Sequence, residues 1–152
     1  MNPLCIRIAL PALVLALLGT APAHATLGEA EASVQVDRQQ IRASVQRSSR
    51  TNFTVHELST AGNGLVREYV TPAGQVYAVS WQGPFMPNLQ QLLGTHFQTI
   101  AQSSDRQQGG RGHLVVHAGP VVFESGGRMR SFHGRAYLSN ALPAGTSTDD
   151  IQ

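Results

Sequence analysis

The chain has 152 residues and a formal net charge of +2, with eleven basic residues, all arginine, against nine acidic ones. A balance so near neutral excludes a general electrostatic pull toward nucleic acid or anionic membrane. The one cysteine is Cys5, so everything after it lacks a disulfide, a thiol nucleophile and a thiolate metal ligand.

The first 25 residues read as a signal peptide. Arg7 precedes the apolar run "IALPALVLALLG", and "APAHA" closes it with the Ala23-His24-Ala25 pattern cleaved after Ala25. The run is about a dozen residues, short of the roughly 20 that span a bilayer, so no retained membrane span is expected. Cys5 sits ahead of the run, which argues against a lipoprotein. Cleavage leaves residues 26–152 as a single domain with loosely held ends, ten arginines and nine acidic residues, periplasmic or secreted.

Thr26 to Val36 reads as an extended arm. Asp37 and Gln40 have capping-box spacing, which predicts a short helix to about Ser48 with Ile41 and Val45 on its apolar stripe. "RSSRTN" then reads as a linker. Strands are predicted at 53–58, 65–70 and 75–81, separated by "AGNG" and by "TPAG", whose proline and glycine suit a type I turn with a bulge. If Thr71 opposes Gln75, then Tyr69 faces Tyr77, Arg67 faces Val79 and Leu65 faces Trp81. Val66, Val70, Val76 and Ala78 line the other side with Glu68 and Ser80.

"MPNLQQLLGTHFQTIAQ" predicts one long helix. Pro87 suits its first turn, and Leu89, Leu92, Leu93, His96, Phe97 and Ile100 recur at the spacing of a single buried stripe. Gly94 inside it would permit close approach to a sheet. Residues 103–112 read as a polar glycine-rich loop. "HLVVHAG", "PVVFE" and "RMRSFHGRAYL" are three further strands, the last two joined by "SGG", which would set Glu124 opposite Arg128 and Phe123 opposite Met129. "PAGTSTDDIQ" is a loosely held tail. The whole predicts an α+β fold: an antiparallel meander sheet of about six strands, one long amphipathic helix on a face and a short N-terminal helix. The helix would cover the small aliphatic side. The tyrosine–tryptophan side is either buried by a curling sheet or left as a binding surface.

Few chemistries fit the residues. His113 and His117 on a strand stand roughly 13 Å apart, too far to share a metal ion. Ser131 and His133 are about 7 Å apart on a strand, beyond a nucleophile–base hydrogen bond. Glu57 and Glu68 would suit general acid–base work if buried, although each has an arginine close by. "ESGGRMR" has the glycines and arginines of an anion nest, and a tight turn needs those glycines too. Trp81 with Tyr69, Tyr77 and Arg67 would suit stacking on a sugar or gripping a peptide, or simply core packing.

"TLGE", "VREYVTPAGQVYAVSWQGPFMPNLQQLLG", "VVFESGGRMRSFHGRAYL" and "LPAGTSTDDI" resemble the exported bacterial proteins of domain-of-unknown-function family 2844. The resemblance spans nearly all of the chain after the signal and implies a bacterial source, export across the inner membrane and a single-domain unit. It carries no catalytic or ligand residue onto this chain. The expected function is therefore a non-enzymatic binding or accessory protein of the envelope, without cofactor, metal or nucleic acid. Its partner is expected to be another envelope protein or a polar ligand, met by Arg67, Tyr69, Tyr77, Trp81, Arg128, Arg130, His133 and Arg135. A small hydrolase using His56 or His133, and an envelope structural factor with no site, are the alternatives.

Overall fold

A computed structural model describes residues 27–104 and 112–152; the signal at 1–25 and most of the loop at 103–112 lie outside the described residues. Among the described residues the fold is α+β, with seven strands rather than six. These are β1 (Ser44–Ser49), β2 (Thr54–Ser59), β3 (Leu65–Val70), β4 (Val76–Gly83), β5 (His113–Ala118), β6 (Val121–Arg128) and β7 (Ser131–Leu138). They form one antiparallel sheet in the order β1-β2-β3-β4-β7-β6-β5. Two hairpin-linked meanders thus meet where β4 pairs with β7. Central β4 is covered on both faces, which is why its residues are buried from Val76 to Trp81.

Among the described residues three short helices, α1 (Ser33–Gln40), α2 (Leu89–Leu93) and α3 (His96–Ser104), stand where two were expected. The predicted rod over 86–102 is broken because Gly94 takes φ 48° and ψ −122°, a conformation outside the helical region. Leu92, Leu93 and Ile100 still reach the same core, so one apolar stripe is shared by two segments. The N-terminal helix begins earlier than predicted and ends at Gln40, since Arg42 at φ 51° turns the chain into β1. Asp37 is therefore a buried residue of α1 rather than its cap, and the expected linker at 47–52 is partly the polar edge strand β1.

The β3–β4 hairpin follows the predicted turn, with the Thr71 N–H donating to the Gln75 carbonyl at 2.8 Å. A bulge then inserts Tyr77, so that Tyr69 opposes Ala78, Arg67 opposes Ser80 and Val66 opposes Trp81. The expected pairs Tyr69–Tyr77, Arg67–Val79 and Leu65–Trp81 are not formed. One extra residue exchanges faces: Val79 and Trp81 join Val66, Val70 and Val76 in the helix-side core, and Ala78 joins Tyr69 and Tyr77 on the other. The β6–β7 turn is also displaced. "SGG" continues β6, the chain reverses at Met129-Arg130, and Glu124 and Phe123 face Arg135 and Ala136 rather than Arg128 and Met129.

The described segments 28–31 and 148–152 are both hydrogen-bonded to the sheet. Gly28 N–H donates to the Val76 carbonyl and Val76 N–H to that of Glu29, each at 2.8 Å, which lays the N-terminal segment beside β4. At the other end, Ile151 is 1% exposed and packs with Val55, Tyr69, Tyr77 and Tyr137 in the second core. The residues that cover the second face of the sheet are thus those of the tail.

Candidate functional site

The second face is crossed by one row of paired residues. Glu57 lies opposite Arg67, Arg67 opposite Ser80, Ser80 opposite Arg135, and Arg135 opposite Glu124. Alternation along five strands places all five side chains on one side. At each end an arginine pairs with a carboxylate. Arg67 Nε is 2.7 Å from Glu57 Oε1, and Arg135 donates through Nε to Glu124 Oε2 at 3.0 Å and through Nη2 to Oε1 at 3.2 Å. The fork of Arg135 is held in the geometry that suits two parallel hydrogen bonds.

The centre of this row carries the tail. Ser147 accepts from Asp149 N–H, and its own N–H donates to Asp150, a capping box that starts the 3-10 turn Thr148–Asp150. The chain then lies over the row. The Gln152 main-chain oxygen accepts from Ser80 Oγ at 2.6 Å, Arg67 Nη1 at 2.7 Å and Tyr69 Oη at 2.9 Å. Arg135 Nη1 donates to the carbonyls of Thr148 at 2.7 Å and Ile151 at 3.3 Å. Two cationic side chains flanking a hydroxyl therefore hold three main-chain oxygens, one in the 3-10 turn and two just after it, the charge-assisted class of hydrogen bond. Ile151 anchors it by filling an apolar socket between them.

Open space remains on both sides of this strap. A cavity of about 540 Å³ lies toward β1 and β2, bordered by Arg50, Asn52, Phe53, Glu57, Arg67 and Asp149. Another of about 270 Å³ lies toward β5 and β6, bordered by Gln82, His113, Glu124, Gly126, His133 and Arg135. In the second cavity Gln82, His133, Gly126 and His113 make the adjoining row. Gly126 leaves a gap between two imidazoles: a Cβ there would lie 3.0 Å from His133 Nε2 and 3.3 Å from His113 Nδ1.

The expected site residues are therefore divided. Arg67, Tyr69 and Arg135 converge on the strap, His133 stands one row away, and Tyr77 supports Tyr69 at 6.2 Å in a cluster with Phe53. Tyr69 and Tyr77 are buried at 2% and 0% exposure, so they do not form the open aromatic patch that a surface role required. Trp81 is on the opposite side of the sheet, 5.7 Å from Phe123, where its indole lies so close over Gly134 that a Cβ would collide with it. Arg128 and Arg130 are exposed at the far end of the β6–β7 hairpin, away from the strap. Ser80 and the tail were not foreseen. "STDD" before Ile151 has capping-box spacing ahead of a lone apolar residue, and that signal marks a tail with a fixed end.

A second polar cluster lies on the helix side. Arg47, His56 and Glu68 share a cross-strand row. His56 Nε2 is 2.8 Å from Glu31 Oε1, which also pairs with Arg47 at 3.2 Å. Glu68 is 1% exposed, and its carboxyl is pushed up to about 9 by burial first, then by the charge of Asp37 and a hydrogen bond with it. Asp37 in turn accepts from the Gln91 side chain of α2. Glu68 thus keeps its proton at neutral pH, and the cluster ties α1, α2 and the N-terminal segment to the sheet. His56 does meet a carboxylate, but at 5% exposure it faces the packed helices rather than solvent. Among the described residues no group of three histidine, cysteine or acidic side chains is arranged to hold a metal ion, and no helix is long and apolar enough to cross a membrane.

The fold and the strapped face together define an α+β sheet protein with helices on one side and an arginine-crossed contact face on the other. Residues 23–151 match the family described as "Protein of unknown function (DUF2844)", and the chain belongs to that family. No curated protein and no solved structure matches it.

Proposed function

We propose that this chain is an exported, non-enzymatic binding protein of the bacterial envelope, and that it engages an extended polar segment on the second face of its sheet. Export is supported by Arg7, the apolar run and Ala23-His24-Ala25, with cleavage at Ala25 and release into the periplasm or medium. The observation that carries the binding role is the row itself: Arg67 and Arg135 flank Ser80 and receive main-chain oxygens, with unfilled space on either side. Arg67, Tyr69 and Arg135 would make the contacts, His133 would border the ligand, and Tyr77 would support Tyr69. The Trp81 indole packs in the helix-side core although the residue borders the smaller cavity, and Arg128 and Arg130 lie away from this surface. A hydrolase reading gains little, because the Ser80 hydroxyl donates to the Gln152 main-chain oxygen rather than to an imidazole.

Fractionation of a host producing the tagged chain tests export; the expected product is periplasmic and begins at Thr26. Envelope proteins retained by that product are then compared with those retained by Arg67→Ala/Arg135→Ala, after circular dichroism has shown the variant folded. A partner whose recovery falls at least about tenfold in the double variant supports the site, the loss expected for two charge-assisted contacts. An unprocessed cytoplasmic chain overturns the export half, and identical recovery by the variant overturns the site.

A further inference from the structure

We infer that the end of the sheet formed by the β4–α2 loop and the β6–β7 turn docks on an anionic lipid surface. Among the described residues the exposed large hydrophobic side chains are Phe85 (73%), Met86 (41%), Val115 (36%) and Met129 (87%). Three of those four stand at this one end. Gly83 pairs with Phe132, and Arg128 with Ser131, so residues 84–88 and the Met129-Arg130 turn leave the sheet side by side. Met86 borders the same hollow as Gly127 and Phe132, and Phe85 rests 3.9 Å from the position a Cβ would take at Gly62 in the β2–β3 loop. Phe85 and Met86 also border an apolar hollow of about 160 Å³ together with Trp81 and Leu92, while Met129 projects from the adjacent tip.

Charge selects the occupant. Arg128 and Arg130 bracket Met129, both are exposed, and neither pairs with a carboxylate among the described residues. The neighbouring loops at 60–64 and 84–88 contain no acidic residue. Arg130 holds φ 64°, a conformation that glycine or asparagine adopts with less strain. Apolar side chains that enter the acyl boundary, ringed by arginines that meet headgroup phosphates, are the pattern of interfacial binding. A second copy of the chain would instead bring four arginines together. The near-neutral molecule feels no general attraction; the attraction is local to this tip.

The test is co-sedimentation with vesicles of phosphatidylcholine alone and of phosphatidylcholine with phosphatidylglycerol, every protein sample having the same N-terminus. The wild-type chain is expected to partition onto the phosphatidylglycerol vesicles and to be released by salt. Phe85→Ser/Met129→Ser should lower partitioning by about tenfold, and Arg128→Gln and Arg130→Gln by about fivefold each. These exposed positions leave the core intact, which Trp81 emission verifies. Arg67→Ala/Arg135→Ala should partition as wild type, which separates this surface from the strapped face. Equal partitioning by wild type and Phe85→Ser/Met129→Ser, or equal binding to both vesicle types, overturns the inference. So does a dimer that those substitutions abolish while the vesicles leave the protein in solution.

Discussion

Tyr69 and Tyr77 have ring centroids 6.2 Å apart, yet their hydroxyls meet opposite circumstances. Tyr69 Oη donates to the Gln152 main-chain oxygen at 2.9 Å and accepts from the Gln152 N–H at 3.0 Å. Tyr77 Oη is buried without a hydrogen-bond partner among the described residues, and burial, followed by Tyr69 and Asp150, pushes its phenol up. A buried hydroxyl that bonds nothing contributes little on removal, whereas one that bridges two main-chain groups leaves both orphaned. Tyr69→Phe is therefore expected to cost about 1–2 kcal/mol in urea unfolding, and Tyr77→Phe to stay within about 0.5 kcal/mol of wild type or to gain. Equal losses would contradict the difference in bonding. Neither outcome was readable from "REYVTPAGQVYAV", because which hydroxyl meets the tail depends on residues more than seventy positions away.

The helix expected over 86–102 shows how far periodicity reaches. Its apolar spacing is real, since Leu92, Leu93 and Ile100 share one core, but spacing does not reveal a break when both halves bury the same side. Gly94 decides the matter. Were the helix continuous, Gly94→Ala would stabilise it by about 1 kcal/mol. At φ 48° and ψ −122° the substitution should instead cost about 1–3 kcal/mol, measured as a fall in denaturation midpoint. The same limit applies to strands. β2 to β7 were legible from alternation and turn residues, with β6 running four residues beyond its predicted end, whereas β1 is too polar to announce itself. The bulge at Tyr77 and the turn at Met129-Arg130 each moved a register, because glycines and prolines mark where a chain bends without fixing which residues pair across the bend.

Across the whole molecule, Glu68 makes stability depend on pH. Its carboxyl titrates near 9 in the fold against an ordinary 4.5, so between those values the folded chain holds a proton that the unfolded chain has released. That contribution is fully present below about 4.5 and is lost as pH rises toward 9. The groups facing Glu68 are Asp37 from α1 and His56 from β2, with Gln91 behind Asp37 and the Glu31–Arg47 pair behind His56. Stability from urea unfolding should fall between pH 5 and 8 with a slope of at most about 1.4 kcal/mol per unit from this one group. Glu68→Gln should remove that slope and be the more stable protein at pH 8. Parallel profiles for the two proteins would show that the proton is not held there. The sequence marks Glu68 as a carboxylate near arginines; only the packing of α1 puts a second carboxyl against it and excludes water.

By itself the sequence determined an α+β chain with turns at "AGNG" and "TPAG" and an apolar stripe around residues 89–100, because these rest on local propensity and short-range pattern; its family is shown by a match over residues 23–151. Tertiary structure alone decided which side of the sheet each residue occupies and what shelters the second side. A single inserted residue reverses the facing of every side chain beyond it, and the tail finds its place through main-chain oxygens that meet Arg67, Ser80 and Arg135 only after β3, β4 and β7 have aligned them.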